Sequence, residues 1–191
     1  MEGEDDFRAK LIRQLQGAYS GELAAGHAYA GHARSVRRVE EKARILEIEE
    51  EEWVHRKNVG KMLAALGTGP DPEREKKLLR IGQTIAILCQ IGGWYVPMYG
   101  AGRLESHNVK EYEDAAEYAL RCGRPEFVEC LLTMAEVEWD HEAYFRSKVE
   151  SHWLRHLIPV WPALAPRESI RRRYASLPEA VVLVGVSRVA V

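Results

Sequence analysis

The chain has 191 residues, of which 46% are hydrophobic and 29% charged, with a formal net charge of −2. That composition is ordinary for a globular protein able to bury a real core, and the charge balance argues against nucleic acid as a partner. The acidic start, Met1-Glu-Gly-Glu-Asp-Asp6, is the opposite of a signal peptide's basic region. Cys89, Cys122 and Cys130 form no C-x-x-C pair, which argues against a disulfide framework or thiolate metal site and leads to an expected cytoplasmic location.

From Phe7 to about Arg34 there is no proline, and Leu11, Leu15, Tyr19, Glu22, Gly26, Tyr29 and Ala33 recur at helical spacing. The basic Ser35-Val-Arg-Arg38 segment followed by Glu40-Glu41 suits the end of one helix dipole and the start of the next, so a tight turn is expected there. The second helix runs to about Leu66 on a stripe of Ile45, Ile48, Glu52, His55, Val59, Met62 and Leu66, and Gly67-Thr-Gly-Pro70 stops it. Asp71 with Pro72 reads as an N-cap followed by proline at the first helical position.

No charged residue lies between Arg80 and Arg103, which raises the question of a membrane span. Gln83, Gln90, Gly92-Gly93 and Pro97 interrupt the run. A buried crossover of two shorter helices meeting near the glycines is therefore expected, with peripheral membrane contact through residues 81–102 as the other reading. A fourth segment restarts near Val96 and continues through Glu105, Tyr112, Ala116 and Ala119, until Cys122-Gly-Arg-Pro125 ends it. The last long helix runs from Pro125 to about His152. Beyond it, Pro159, Pro162 and Pro166 mark an irregular connection, followed by a short helix through Arg171–Arg173 read as an exposed charge run. Ala180–Val191 is valine-rich and β-like, with no evident strand partner. The expected division is a bundle over residues 1–152 and a C-terminal extension over 153–191.

On the last long helix, Glu138 and His141 lie three residues apart and share one face with Phe127, Leu131, Met134 and Phe145. A carboxylate and an imidazole buried without partners would be strongly destabilising. The second helix repeats the pattern with Glu52 and His55, and lone glutamates, Glu22 and Glu105, sit in the other two stripes. Glu-x-x-His alone is close to a chance match. The register is more informative. The midpoint of Glu22 and Glu52 falls at residue 37, inside the basic turn, and that of Glu105 and Glu138 falls beside Gly123. Two antiparallel hairpins would each bring a lone Glu level with a Glu-x-x-His.

Four carboxylates converging in a core repel one another unless neutralised. Two divalent cations would balance them, and carboxylate with imidazole suits iron or manganese rather than structural zinc. The expected fold is an all-α, ferritin-like four-helix bundle of two antiparallel hairpins joined by a long helical crossover. Its metal ligands would be Glu22, Glu52, His55, Glu105, Glu138 and His141, with Glu51 placed to support a ligand from behind. His27 and His107 lie off the ligand stripe and read as surface histidines, whereas His32 is borderline. Tyr29 and Tyr112 read first as core aromatics.

Over roughly Phe7 to His152 the chain resembles the ferritin-like di-iron carboxylate superfamily. Within it the chain is most similar to the demethoxyubiquinone hydroxylases, through Gly21-Glu22-Leu-Ala-Ala-Gly-His-Ala-Tyr29, the long apolar connection between hairpins, and Tyr112 seven residues after Glu105. Glu111 stands where that family usually has a histidine, and the tail around His152 and Trp161 departs from its closing helix. The resemblance implies two iron ions that activate dioxygen to hydroxylate a small molecule, an external electron donor, a role for Tyr112 behind the ligands, and work at a membrane surface. Self-association is a further expectation. The alternatives are a ferritin-like iron-oxidising or peroxide-scavenging protein with no organic substrate, and a metal-stabilised scaffold for protein contacts.

Overall fold

The computed structural model describes residues 3–172 and 174. Among these the chain is all-helical with no strand: α1 (Glu4–Ser35), α2 (Val39–Ala65), α3 (Pro72–Ile91), α4 (Tyr95–Arg121), α5 (Val128–Glu150) and α6 (Glu168–Arg172). The β-like reading of Ala180–Val191 lies outside the described residues.

The helix ends follow local chemistry. Asp71 caps α3 by accepting from the backbone amides of Glu73 (3.0 Å) and Arg74 (3.1 Å), and Pro72 fills the first turn, where no donor is needed. Gly93 (φ 68°) and Gly123 (φ 70°) turn the chain after α3 and α4 in the left-handed region that side chains avoid. A 3-10 turn, Pro125–Phe127, leads into α5.

Contacts fix the helix directions. Arg8 Nη2 donates to the Leu66 carbonyl (2.7 Å) near one end of α1, while Arg56 Nη1 donates to the Tyr19 carbonyl further along, so α1 and α2 are antiparallel. Glu51 and His55 of α2 meet His141 and Glu138 of α5, and Glu41 meets Lys148 at 3.6 Å, again antiparallel. Gln14 and Tyr29 of α1 reach Glu111 and Glu105 of α4 in the same opposed sense. α3 instead runs parallel to α1: Arg74 reaches the Arg13 carbonyl, Gly82 lies against Ala24, and Gln90 donates to the Gly31 carbonyl at 2.7 Å.

Two apolar clusters lie along this assembly. One joins Leu11 and Leu15 of α1, Val59 and Leu63 of α2, Ala116 and Ala119 of α4, and Leu131 and Ala135 of α5. The other joins Tyr29 and Ala33, Ile45 and Ile48, Met98, and Phe145 and Val149. In sequence, the six predicted ligands fall between the two sets on each of α1, α2, α4 and α5. A polar layer therefore interrupts an otherwise apolar core.

The crossover departs from expectation. α3 was expected to be buried, but its only buried residues are Gly82 and Cys89, while Ile87 and Ile91 are 68% and 78% exposed. The reason is its contact face: small residues let α3 lie flat on α1, and its larger apolar side chains then point away from the core. No helix among the described residues is long and apolar enough to cross a membrane.

The extension after α5 is also more ordered than a charge run implies. It folds back along α5, with Trp161 seated on Gly102 in the same apolar cluster as Phe145 and donating to Glu142 Oε1 at 2.6 Å. Arg146 donates to the carbonyls of Trp161 (3.1 Å) and Pro162 (2.9 Å), and Trp139 to that of Ala165 (2.9 Å). Arg171 is not a free surface charge but a clamp, holding Glu129 and Glu136 at 2.8 Å each. Arg173 lies outside the described residues.

Candidate metal centre

All six residues named from the sequence converge. Ligand atoms of Glu22, Glu52, His55 and Glu138 lie within 4.8 Å of one another, as do those of Glu52, Glu105, Glu138 and His141. The two groups share Glu52 and Glu138, so each has its own imidazole and its own lone glutamate, with two carboxylates between them. All six residues are buried, none more than 3% exposed.

Two hydrogen bonds and several longer ion-pair contacts orient them. His55 Nδ1 lies 2.9 Å from Glu138 Oε1 and 4.0 Å from Glu22 Oε1. His141 turns Nδ1 toward Glu52 Oε1 (3.3 Å) and Glu138 Oε2 (3.7 Å), while its Nε2 meets Glu51 Oε2 at 2.7 Å. Glu51 thus stands behind His141 and fixes its ring, as expected from its position.

Two tyrosines form a reciprocal pair. Tyr29 of α1 donates to Glu105 of α4, and Tyr112 of α4 donates to Glu22 of α1. Each tyrosine follows the lone glutamate of its own helix by seven residues and bonds the lone glutamate of the other. Asn108 joins them, with Nδ2 donating to Glu105 Oε2 (2.9 Å) and Glu138 Oε2 (3.4 Å). Sequence reasoning missed Tyr29 as a site group and Asn108 altogether. The seven-residue repeat could have revealed Tyr29, and Asn108 occupies the same offset from Glu105 that histidine takes in the other two motifs.

His27 is half-buried with its ring edge against Trp53, and His107 is exposed beside Glu111 at 3.3 Å, so neither enters the centre. His32 is buried against Tyr29 and Phe145, outside both ligand groups.

Electrostatics leave the layer unbalanced. Burial, reinforced by Glu52, raises the Glu22 pKa well above the carboxylate range, and burial with Glu138 does the same to Glu105. Glu138 moves the other way: burial opposes its charge, but hydrogen bonds from Glu105, His141 and His55 hold it well below the usual value. Burial likewise opposes the charged form of His141, yet Glu138, Glu51 and Glu52 push its pKa up to about 12. Among the described residues, protons and imidazolium groups are thus the only positive charge brought to the four clustered carboxyls.

The unpartnered atoms test whether cations fit here. Glu22 Oε2, both Glu52 oxygens and His141 Nδ1 are buried with no hydrogen-bond partner. Each is a good ligand atom, and leaving such groups unpaired is costly. Their chemistry, hard oxygen with borderline imidazole and no thiolate, fits iron or manganese. Comparison with protein-family models, curated proteins and solved structures finds no match.

Proposed function

We propose that this protein is a ferritin-like four-helix bundle holding two iron ions, and that it is an oxidoreductase using dioxygen and an external electron donor on a small organic molecule. The observation carrying this reading is the pair of overlapping ligand groups that share Glu52 and Glu138 in a buried layer. Glu22 and His55 would complete one metal's ligands, and Glu105 and His141 the other's, with manganese chemically acceptable in place of iron. When bound, the two irons would supply Lewis acidity and the electrons that dioxygen activation requires.

The protein's own groups have separate tasks. The apolar clusters on either side exclude water from the layer. Tyr29 and Tyr112 hold protons at their phenolic oxygens beside Glu105 and Glu22, Glu51 fixes the His141 tautomer, and Asn108 keeps Glu105 and Glu138 apart in orientation. The exposed isoleucines of α3 support peripheral contact with a membrane through residues 81–102.

Anaerobic Fe(II) titration tests the centre. The wild type is expected to saturate near two equivalents per chain. Glu52→Ala and Glu138→Ala should lose both sites, whereas Glu22→Ala and Glu105→Ala should each lose one. Full-strength binding by the Glu52 and Glu138 variants would refute the assignment. Exposure of the loaded protein to oxygen then separates function: oxidation confined to two irons fits an oxidoreductase, and continued deposition of added iron would indicate iron handling instead.

A further inference from the structure

The two ligand groups share Glu52 and Glu138 but differ in how their own residues are held. His141 is fixed from behind. Its Nε2 meets Glu51 Oε2 at 2.7 Å, and Arg44 Nη1 braces the same oxygen at 3.3 Å, so the ring stands with Nδ1 toward Glu52 and Glu138. His55 has no such support. Its Nδ1, the nitrogen that faces Glu22 and Glu138, is taken up by Glu138 Oε1 at 2.9 Å, and among the described residues nothing bonds its Nε2. Tyr112 meets the His55 ring only edge-on, at 5.7 Å between centroids.

The lone glutamates differ in the same direction. Glu105 accepts at both oxygens, from Tyr29 at Oε1 and from Asn108 at Oε2 (2.9 Å). Glu22 accepts from Tyr112 at Oε1, and its Oε2 has no partner. A carboxylate has lone pairs to spare beyond two such bonds, so Glu105 is oriented without being used up. Relief of unpartnered atoms does not separate the groups, because each has one of its own, Glu22 Oε2 and His141 Nδ1, and Glu52 serves both. A cation at the Glu105–His141 group therefore meets ligands already in place. At the Glu22–His55 group it must break the His55–Glu138 bond and order a freer carboxylate.

We propose that the two cations bind in a fixed order, the first to Glu105 and His141 with the shared pair and the second to Glu22 and His55, and that Glu51 is the positioning residue that sets this order. Groups that support metal ligands from behind change affinity by about 10–100-fold. The charge of the first cation further opposes the second. The protein then holds one cation over a wide range of free metal and completes the pair only where metal is plentiful. The order rests on the metal-binding reading above, and not on what the loaded protein oxidises.

Single-site variants of the full chain test this in anaerobic buffer, with Mn(II) alone as the probe and free Mn(II) read from its electron paramagnetic resonance signal. Glu22→Ala keeps the Glu105–His141 group and is expected to bind one Mn(II) about 10–100-fold tighter than Glu105→Ala, which keeps the other group. Repulsion between cations alone predicts equal affinities, because each variant holds only one. Adding Glu51→Gln should weaken Glu22→Ala by about tenfold and leave Glu105→Ala unchanged. Glu51 is half-exposed, so Glu51→Gln in the otherwise wild-type chain decides the matter if a ligand variant does not fold: it should narrow the gap between the first and second binding steps. Equal or reversed affinities of the single-site variants, equal weakening of both by Glu51→Gln, or an unchanged gap in Glu51→Gln alone would each overturn the proposal. Wild-type protein that fails to take up two Mn(II) would instead refute the metal centre, so the two failures are distinguishable.

Discussion

Single side chains carry the sharpest consequences. Glu52 is fully buried with both oxygens unpartnered, so it opposes folding when no cation is present. Glu52→Leu should therefore stabilise the metal-free protein, by about 1–3 kcal/mol, the cost of leaving buried polar groups unsatisfied. The same variant should lose the rise in Tm that Fe(II) or Mn(II) gives the wild type. Urea denaturation in chelator and melting with added metal measure the two signs. His32 gives a pH dependence. Its pKa falls from 6.5 to about 4 on burial, so the unfolded chain binds the proton more readily. Its contribution is intact above pH 6.5 and is lost as pH falls toward 4, amounting to about 2 kcal/mol between pH 7 and pH 5. His32→Phe should remove that part of the slope in urea melts at the two pH values.

Helix contacts make a different kind of prediction, because glycine plays opposite roles on α3 and α4. A Cβ at Gly82 would come within 2.5 Å of the Ala24 carbonyl oxygen, a backbone atom that cannot swing aside. Gly82→Ala should cost about 1–3 kcal/mol despite alanine's better helix propensity, as overpacking does. At Gly100 an added Cβ meets nothing within 4 Å, so Gly100→Ala should stabilise by about 0.5–1 kcal/mol. Thermal melts of the two variants should move in opposite directions. The seam between α1 and α3 also explains why the charge-free run misled: hydrophobicity said that the segment needed cover, but only the small residues of one face found it.

For the molecule taken together, the extension behind α5 is part of the packing around the ligand layer. Trp161 is buried on Gly102, in one apolar cluster with Phe145, and these two residues are close in sequence to Glu105 and to His141 respectively. Trp161→Ala should cost about 3–5 kcal/mol in chemical denaturation, the usual range for a buried tryptophan. If the extension were a loose tail, the variant would melt like the wild type.

The six-residue layer was readable in the chain because its information is local. Helical periodicity places Glu52 with His55 and Glu138 with His141 on inward faces, and the two tight turns set the heights of Glu22 and Glu105 against them. Backbone geometry makes such pairs level whatever surrounds them. The reciprocal Tyr29–Glu105 and Tyr112–Glu22 bonds, the placement of Asn108 between two carboxylates and the clamp at Arg171 were not readable in that way. Each depends on which helices become neighbours across the core or on where the extension comes to rest. Those choices are made by side-chain packing between segments distant in the chain, and no periodicity within one helix encodes them.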